Sequence, residues 1–442
     1  MSAVRISVLL GLAAISAAGQ EKKSLPLSLA KAVEIATAPD GATRVRLAAE
    51  QIKAADARRA RALNMLMPTV DGSYTFRSFT NNLSAMGISF GTIPGISIPM
   101  LVGPIETNDA RLTATQSLFD LPSIRRYQAA KAQLSATRAD NEAQVNQTKG
   151  SVAKAYLNAL RADAAWNTAK ANVALAERLV KQAQSQKAAG TGTGIDVTRT
   201  EVSLASERQR LIVAQEDRET ARLNLLRAMG VDMDVEVELT DPMTYVPAEV
   251  PDAAKAVTAA RELRPELKAQ AERERSAKLS YAAAKYEQLP KVAAFGDYGV
   301  LGRTSASLLP TRSAGVSVKV PIFGANRKDP ERAESASLLR QESIRTRDTA
   351  QQVELEIRVA VTALKSAESQ VAVALEAQTQ SEKELAQAER RYEAGVAIGV
   401  EVTDAQARVA RARENNVAAV FKQKSARIDL GVAVGNIDLM LQ

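Results

Sequence analysis

Neither cysteine nor histidine occurs in the 442 residues, which removes most nucleophilic and metal chemistry at once. No Ser-His-Asp or Cys-His pair, imidazole base, thiolate or His-ligated zinc can be built, so neither an enzyme nor a cofactor or metal is expected. The segment Gly190-Thr-Gly-Thr-Gly194 has the glycine density of a phosphate loop, but no strand precedes it and no lysine follows. Polar side chains near the glycine-marked turns include Asp196, Tyr392, Glu401 and Asp404. Three of them have a structural reading. Asp196 follows Thr193 by three residues, as in a capping box, and Glu401 suits a helix's first turn. Tyr392 lies seven after Leu385, the spacing of a coiled-coil seam.

The elements that would position these residues emerge from a duplication. Residues 189–198 read AGTGTGIDVT and 394–403 read AGVAIGVEVT, with five of ten columns identical at an offset of 205, which also carries Gly230 onto Gly435. Upstream, the resemblance of 66–70 to 288–292 leaves about seventeen extra residues in the first copy, between its Pro68 and Phe119. An insertion confined there marks a loop over 81–109.

Each copy holds two alternating stretches. Val70, Tyr74 and Phe76 interleave with Asp71, Ser73 and Thr75; Leu112 and Ala114 interleave with Arg111, Thr113 and Thr115; Val316, Val318 and Val320 interleave with Ser317 and Lys319. Strands are therefore expected at about 69–80, 109–119, 292–302 and 314–323, with Gly296 and Gly299 weakening the third. About ten residues suffice for a tilted strand to cross a bilayer, although a soluble half-buried sheet alternates in the same way. Four strands cannot close a barrel, and lipid does not tolerate open edges, so a spanning sheet would have to be shared by several protomers.

The rest reads as helix. The stretch from Pro122 to 188 has no further proline and one glycine, and 327–394 is its counterpart. Heptad spacings at Val197, Leu204 and Leu211, and at Ile357, Leu364 and Val371, predict coiled-coil packing. Shorter helical stretches at 29–64 with 197–229, and at 253–287 with 402–434, match the long ones in summed length, which predicts a cylinder of helices below the strands. Aromatics are only 4% of the chain against 46% hydrophobic residues, as in closely packed Ala-rich helices.

The N-terminus carries an apolar run from Ile6 to about Ala18, followed by Gly19, Gln20 and charged residues. It reads as a signal peptide over 1–19, too short to span a membrane, so the chain is expected to be exported. The formal charge of +8 is spread over mixed-sign helix faces, and export argues against nucleic acid as a partner.

Two copies of strand pair, long helix, glycine-marked tip and returning helix, behind a signal peptide, resemble the TolC family of outer-membrane efflux proteins. The most specific piece is Tyr392-Glu-Ala-Gly-Val-Ala-Ile-Gly-Val-Glu-Val-Thr-Asp-Ala-Gln-Ala-Arg-Val409. The resemblance implies an α+β, mostly α fold. A homotrimer would join a 12-stranded transmembrane β-barrel to a 12-helix periplasmic α-barrel, in the outer membrane and in contact with its lipid. The repeats would cover 25–230 and 253–435, with tips at about 189–196 and 394–401, a linker at 231–252 and a tail at 436–442.

The same resemblance implies the partners: a periplasmic adaptor and an inner-membrane pump of the RND, ABC or MFS type. Gly190, Thr191, Gly194, Gly395, Val396 and Gly399 would face the adaptor. Tyr392 and Asp196 match a latch that closes the periplasmic mouth, and Glu401 and Asp404 match acidic rings inside it. The family's second latch has an arginine and a threonine where this chain has Ala397 and Ile195, which predicts a looser closed state. The expected function is the exit duct of a tripartite efflux pump or type I secretion system; the competing expectation is an exported coiled-coil scaffold without a pore.

Overall fold

The computed structural model describes residues 25–88, 99–304, 306–321, 325–394, 396 and 399–438. The signal-peptide reading at 1–19 and Gly395 lie outside them. In chain order the elements are β1 (Leu25–Leu27), α1 (Leu29–Thr37), α2 (Thr43–Asn64), β2 (Thr69–Asn82), β3 (Leu101–Phe119), α3 (Leu121–Ala188) and α4 (Gly194–Met229). The second half follows with β4 (Val237–Leu239), α5 (Ala253–Leu263), α6 (Pro265–Tyr286), β5 (Lys291–Gly302), β6 (Leu309–Lys319), α7 (Ala325–Glu393) and α8 (Gly399–Val434). Among the described residues no helix is long and apolar enough to cross a membrane.

Two helical stretches expected to be continuous are broken. At 29–64 the sequence Ala38-Pro-Asp-Gly41 ends α1, because proline disfavours helix at the residue before it. At 253–287 the break falls on Arg264, held extended (ψ 117) ahead of Pro265, which opens α6 at its first position. The strands also differ in extent from the alternation. β3 begins at Leu101, so the last part of the expected 81–109 loop, 101–109, is strand. β6 covers Leu309–Lys319 rather than 314–323, with 322 and 323 outside the described residues. Pro310 disguised its start, but β6 bonds only to β5, and an edge strand has no need of that missing N–H.

The chain divides into two compact units. The first comprises the described residues of 25–47, 144–263 and 353–438. Its core gathers Leu27, Val33, Val152, Tyr156, Leu157, Leu225, Met229, Ile428 and Ile437 from six segments. Tyr156 is fully buried, and its hydroxyl donates to the Leu27 carbonyl at 2.8 Å. β1 pairs in parallel with β4, and Leu29 N donates to Asp241 at 2.7 Å. These two three-residue strands are too short to show a period, and the sequence reading has no counterpart for them.

The segment after β4 is strapped down by one carboxylate. Glu368 accepts from the Tyr245 hydroxyl at 2.6 Å, from Ala248 N at 3.1 Å and from Gln423 Nε2 at 2.7 Å. Along the helical hairpins Ile357, Leu364 and Val371 are buried as the heptads require, and so is Val197, while Leu204 and Leu211 are half-buried. Ion pairs rung the exposed sides: Arg208–Glu177 at 3.0 Å in the first hairpin, Arg408–Glu384 at 2.8 Å and Arg413–Glu382 at 3.0 Å in the second. Such exposed pairs contribute at most about 1 kcal/mol each, so the buried seam carries the pairing. Trp166, the only tryptophan, lies on α3 with the Arg218 guanidinium of α4 4.4 Å from its ring centre and the Lys170 ammonium 5.3 Å from it.

The second unit, the described residues of 48–143 and 264–352, holds an antiparallel sheet of order β2-β3-β5-β6. Its register aligns Gly72, Leu112, Tyr298 and Arg312 in one row and Asp71, Thr113, Asp297 and Ser313 in the next. One face therefore carries Val70, Tyr74, Phe76, Leu112, Val316 and Val318, all more than half exposed. The opposite face carries a polar network: Arg111 reaches Asp297 at 2.5 Å and Asp109 at 3.2 Å, and Ser313 donates to Asp297. Among the described residues, β2 and β6 are each paired on one side only.

Candidate functional site

Within the first unit, the glycine-marked turns bring together several of the residues singled out from sequence. The α3–α4 turn closes on Gly190, whose φ of 75° is the left-handed conformation that lets Thr191 N and Gly192 N both reach the Gln186 carbonyl at 3.0 Å. Thr193 then caps α4. Its hydroxyl accepts from Asp196 N at 3.3 Å, and Asp196 Oδ2 accepts from Thr193 N at 3.2 Å and from its hydroxyl at 2.6 Å. The capping reading of Asp196 is thus present in full.

It does not exhaust the carboxylate. Asp196 Oδ1 points the other way, 3.9 Å from an Arg199 nitrogen. A Cβ placed on Gly399, the first residue of α8, would lie 3.4 Å from Oδ1 and 3.7 Å from the Tyr392 hydroxyl. Tyr392 and Asp196 therefore converge over Gly399 from the two hairpins. Among the described residues no hydrogen bond joins them. Burial pushes the Tyr392 phenol above its ordinary pKa and the Asp196 charge adds to that, so the phenol stays protonated and able to donate. Below the ring, Tyr392 packs on a buried cluster of Leu175, Leu179, Leu385, Ala388, Val402, Ala405 and Val409. Its seam reading and its polar tip coexist, as amphipathic tyrosine allows.

Glu401 is held by Arg391, 2.9 Å across the turn. Arg391 was not singled out from sequence, although its place beside Tyr392 and ten residues before Glu401 was the available signal. Asp404, one turn further along α8, is exposed and has no ion pair among the described residues. The structure thus sets one acid of the expected pair against a counter-ion and leaves the other in solvent. Of the residues expected to face an adaptor, Gly190, Thr191, Gly194 and Val396 are exposed, Val396 at 71%. Gly399 is half-buried against Asp196 and Tyr392 instead. Ile195, 69% exposed between Gly194 and Asp196, adds a second bare apolar side chain that the sequence reading noted only as a departure from the family.

A paired set of long helical hairpins, glycine turns and a short open sheet is a specific combination. The family model described as outer membrane efflux protein matches residues 38–231 and 256–436. The chain belongs to this family. Outer membrane efflux proteins are channels rather than enzymes, and they reside in the outer membrane with a long periplasmic tunnel. The structure is similar to solved structures that include the outer-membrane channel OprN (18% identity, TM-score 0.78, covering 92% of this chain and 90% of that one), the Campylobacter jejuni CmeC outer membrane channel (17%, 0.81, 92% and 86%) and the open state of the Neisseria gonorrhoeae MtrE outer membrane channel (18%, 0.76, 92% and 89%). At these identities the likeness speaks for the fold, that of the outer-membrane channel-tunnel. Comparison with the curated proteins finds no match by sequence.

Proposed function

We propose that three copies of this chain form a conduit through the outer membrane, the exit duct of a tripartite efflux pump or type I secretion system, closed at its periplasmic end by the residues around Gly399. The observation that carries this reading is the open sheet: four strands with an apolar face more than half exposed and two unpaired edges. Such a sheet is intolerable in lipid unless other copies complete it, and three copies give twelve strands around a lumen lined by the polar Arg111–Asp297 face. Exposed apolar side chains on α4 (Val202, Ile212, Val213) and α7 (Leu355, Val359, Val373) supply surfaces for neighbouring copies. Gly190, Thr191, Gly194 and Val396, with Ile195, form the tips on which an adaptor would dock, linking the duct to an inner-membrane pump.

In this reading Tyr392 and Asp196 act as a latch in which the phenol donates to the carboxylate. Tyr392→Phe and Asp196→Asn keep the packing and the Thr193 cap, respectively, while weakening the latch. A contact worth about 1 kcal/mol predicts a rise of roughly fivefold in the open-to-closed ratio, read as single-channel open probability in planar bilayers. Trimers that conduct no current even with both substitutions would point to a scaffold without a pore; unchanged gating in a conducting trimer would leave Tyr392 a packing residue.

Glu401 and Asp404 would line the same entrance as acidic rings. Glu401→Gln combined with Asp404→Asn should lower cation selectivity and weaken block by divalent ions. Because Arg391 already offsets Glu401, most of the change should come from Asp404. Selectivity that stays the same in the double variant would remove both from the pore.

A further inference from the structure

The first unit contains a cleft of about 380 Å³ between α1, α3, α8 and the strap after β4, a volume in the range of small-molecule sites. Leu157 and Leu160 of α3 and Ile428 of α8 give it an apolar lining, all three buried. The lining also includes Lys424 and Arg427, three residues apart on α8 and therefore on one helical face. Two cations side by side in a half-enclosed cleft repel each other and lose hydration, an arrangement that ordinarily comes with an anion between them.

Among the described residues neither cation has a carboxylate within ion-pair distance; Asp241 and Glu368 act on them only from further away. Lys424 makes a single long contact, 3.4 Å to the Pro242 carbonyl. Arg427 makes no hydrogen bond or ion pair among the described residues. Asp241 lines the cleft, but its Oδ2 is engaged by Leu29 N. Glu368, which senses Arg427 electrostatically, already accepts three hydrogen bonds from Tyr245, Ala248 and Gln423. Burial lowers the Lys424 pKa, Asp241 opposes that and Arg427 adds to it. An anionic ligand would hold the ammonium charged.

We propose that this cleft binds a small amphipathic anion, with its charged head between Lys424 and Arg427 and a short apolar chain against Leu157, Leu160 and Ile428. Bound there, the ligand would tie the strap after β4 to α8 and α3. The inference uses no pore and stands apart from the conduit reading.

Hexanoate is a suitable probe, added to the full-length protein in zwitterionic-lipid nanodiscs and followed by titration calorimetry against empty nanodiscs. Saturable binding of one hexanoate per chain is expected. Hexanol, which lacks the charge, and inorganic phosphate, which lacks the chain, should each bind at least tenfold more weakly. Lys424→Gln with Arg427→Gln should weaken hexanoate at least tenfold, whereas Lys424→Arg, which keeps the charge, should bind as the parent does. Helical content equal to the parent would exclude misfolding of the variants. Absence of saturable binding, hexanol or phosphate binding as tightly as hexanoate, or undiminished binding in the double Gln variant would each overturn the proposal.

Discussion

Gly230→Ala should destabilise the protein by about 2–5 kcal/mol, the sum of a left-handed backbone forced on a residue with a Cβ and of steric overpacking. Gly230 ends α4 with φ 75° and ψ 26°, directing its amide back to the Arg227 carbonyl at 3.2 Å. A Cβ there would sit 2.9 Å from Ala42 Cα and 2.9 Å from the Gly41 carbonyl oxygen, and both are backbone atoms with no rotamer to change. Leu225, Leu226 and Met229, just before it, are almost fully buried, so α4 cannot shift to relieve the contact without disturbing the core. Gly190→Ala is the matched control. It has the same φ of 75°, but no atom lies within 4 Å of its would-be Cβ, so only the backbone cost of about 1–2 kcal/mol applies. Urea titrations followed by helical circular dichroism would separate the two, and equal losses would show that the approach of the Ala38–Ala42 turn to α4 is not tight.

Leu112→Lys should be nearly as damaging, for a reason that concerns solvent rather than sterics. Leu112 and Thr113 are neighbours on β3, a central strand, and point to opposite faces of the sheet. Leu112 is 58% exposed in a row with Gly72 and Tyr298. If that face meets hydrocarbon, a lysine there costs about 2–4 kcal/mol near mid-depth. Thr113 lies between Asp71 and Asp297 in the register, so Thr113→Lys gains carboxylate neighbours and should change stability by less than about 0.5 kcal/mol. Folding yields into lipid vesicles should fall steeply for Leu112→Lys alone. Equal tolerance of both would place water on both faces and remove the membrane from the sheet.

Much of the architecture was legible because its signals are periodic. The 205-residue offset, the two-residue alternation of Val70 to Phe76 and the heptads through Ile357, Leu364 and Val371 each map onto a buried seam or a strand face. What escaped lies where period gives way to single residues. Pro39 and Pro265 break helices inside otherwise helical stretches, while Pro310, which has no N–H to donate, is tolerated within an edge strand. One residue type thus marks two outcomes, and only the neighbour on the other side decides between them. At the tips, sequence singled out Tyr392 and Asp196 as a latch matched from the family, with capping as the alternative for Asp196. The structure satisfies the cap with Oδ2 and leaves Oδ1 toward the tyrosine, a division of one carboxylate that linear spacing does not contain. The Lys424–Arg427 cleft was not legible at all, since its walls come from four segments far apart in the chain.

Trp166 gives the molecule an optical asymmetry. As the only indole in the chain, held on α3 against the Arg218 guanidinium of α4, its emission reports the pairing of the first hairpin through the proximity of that charge. The second hairpin, with Tyr392 at its end, has no such chromophore. A movement confined to α7 and α8 would therefore leave the intrinsic tryptophan spectrum dark to the event, whereas a separation of α3 from α4 would register in an unlabelled sample.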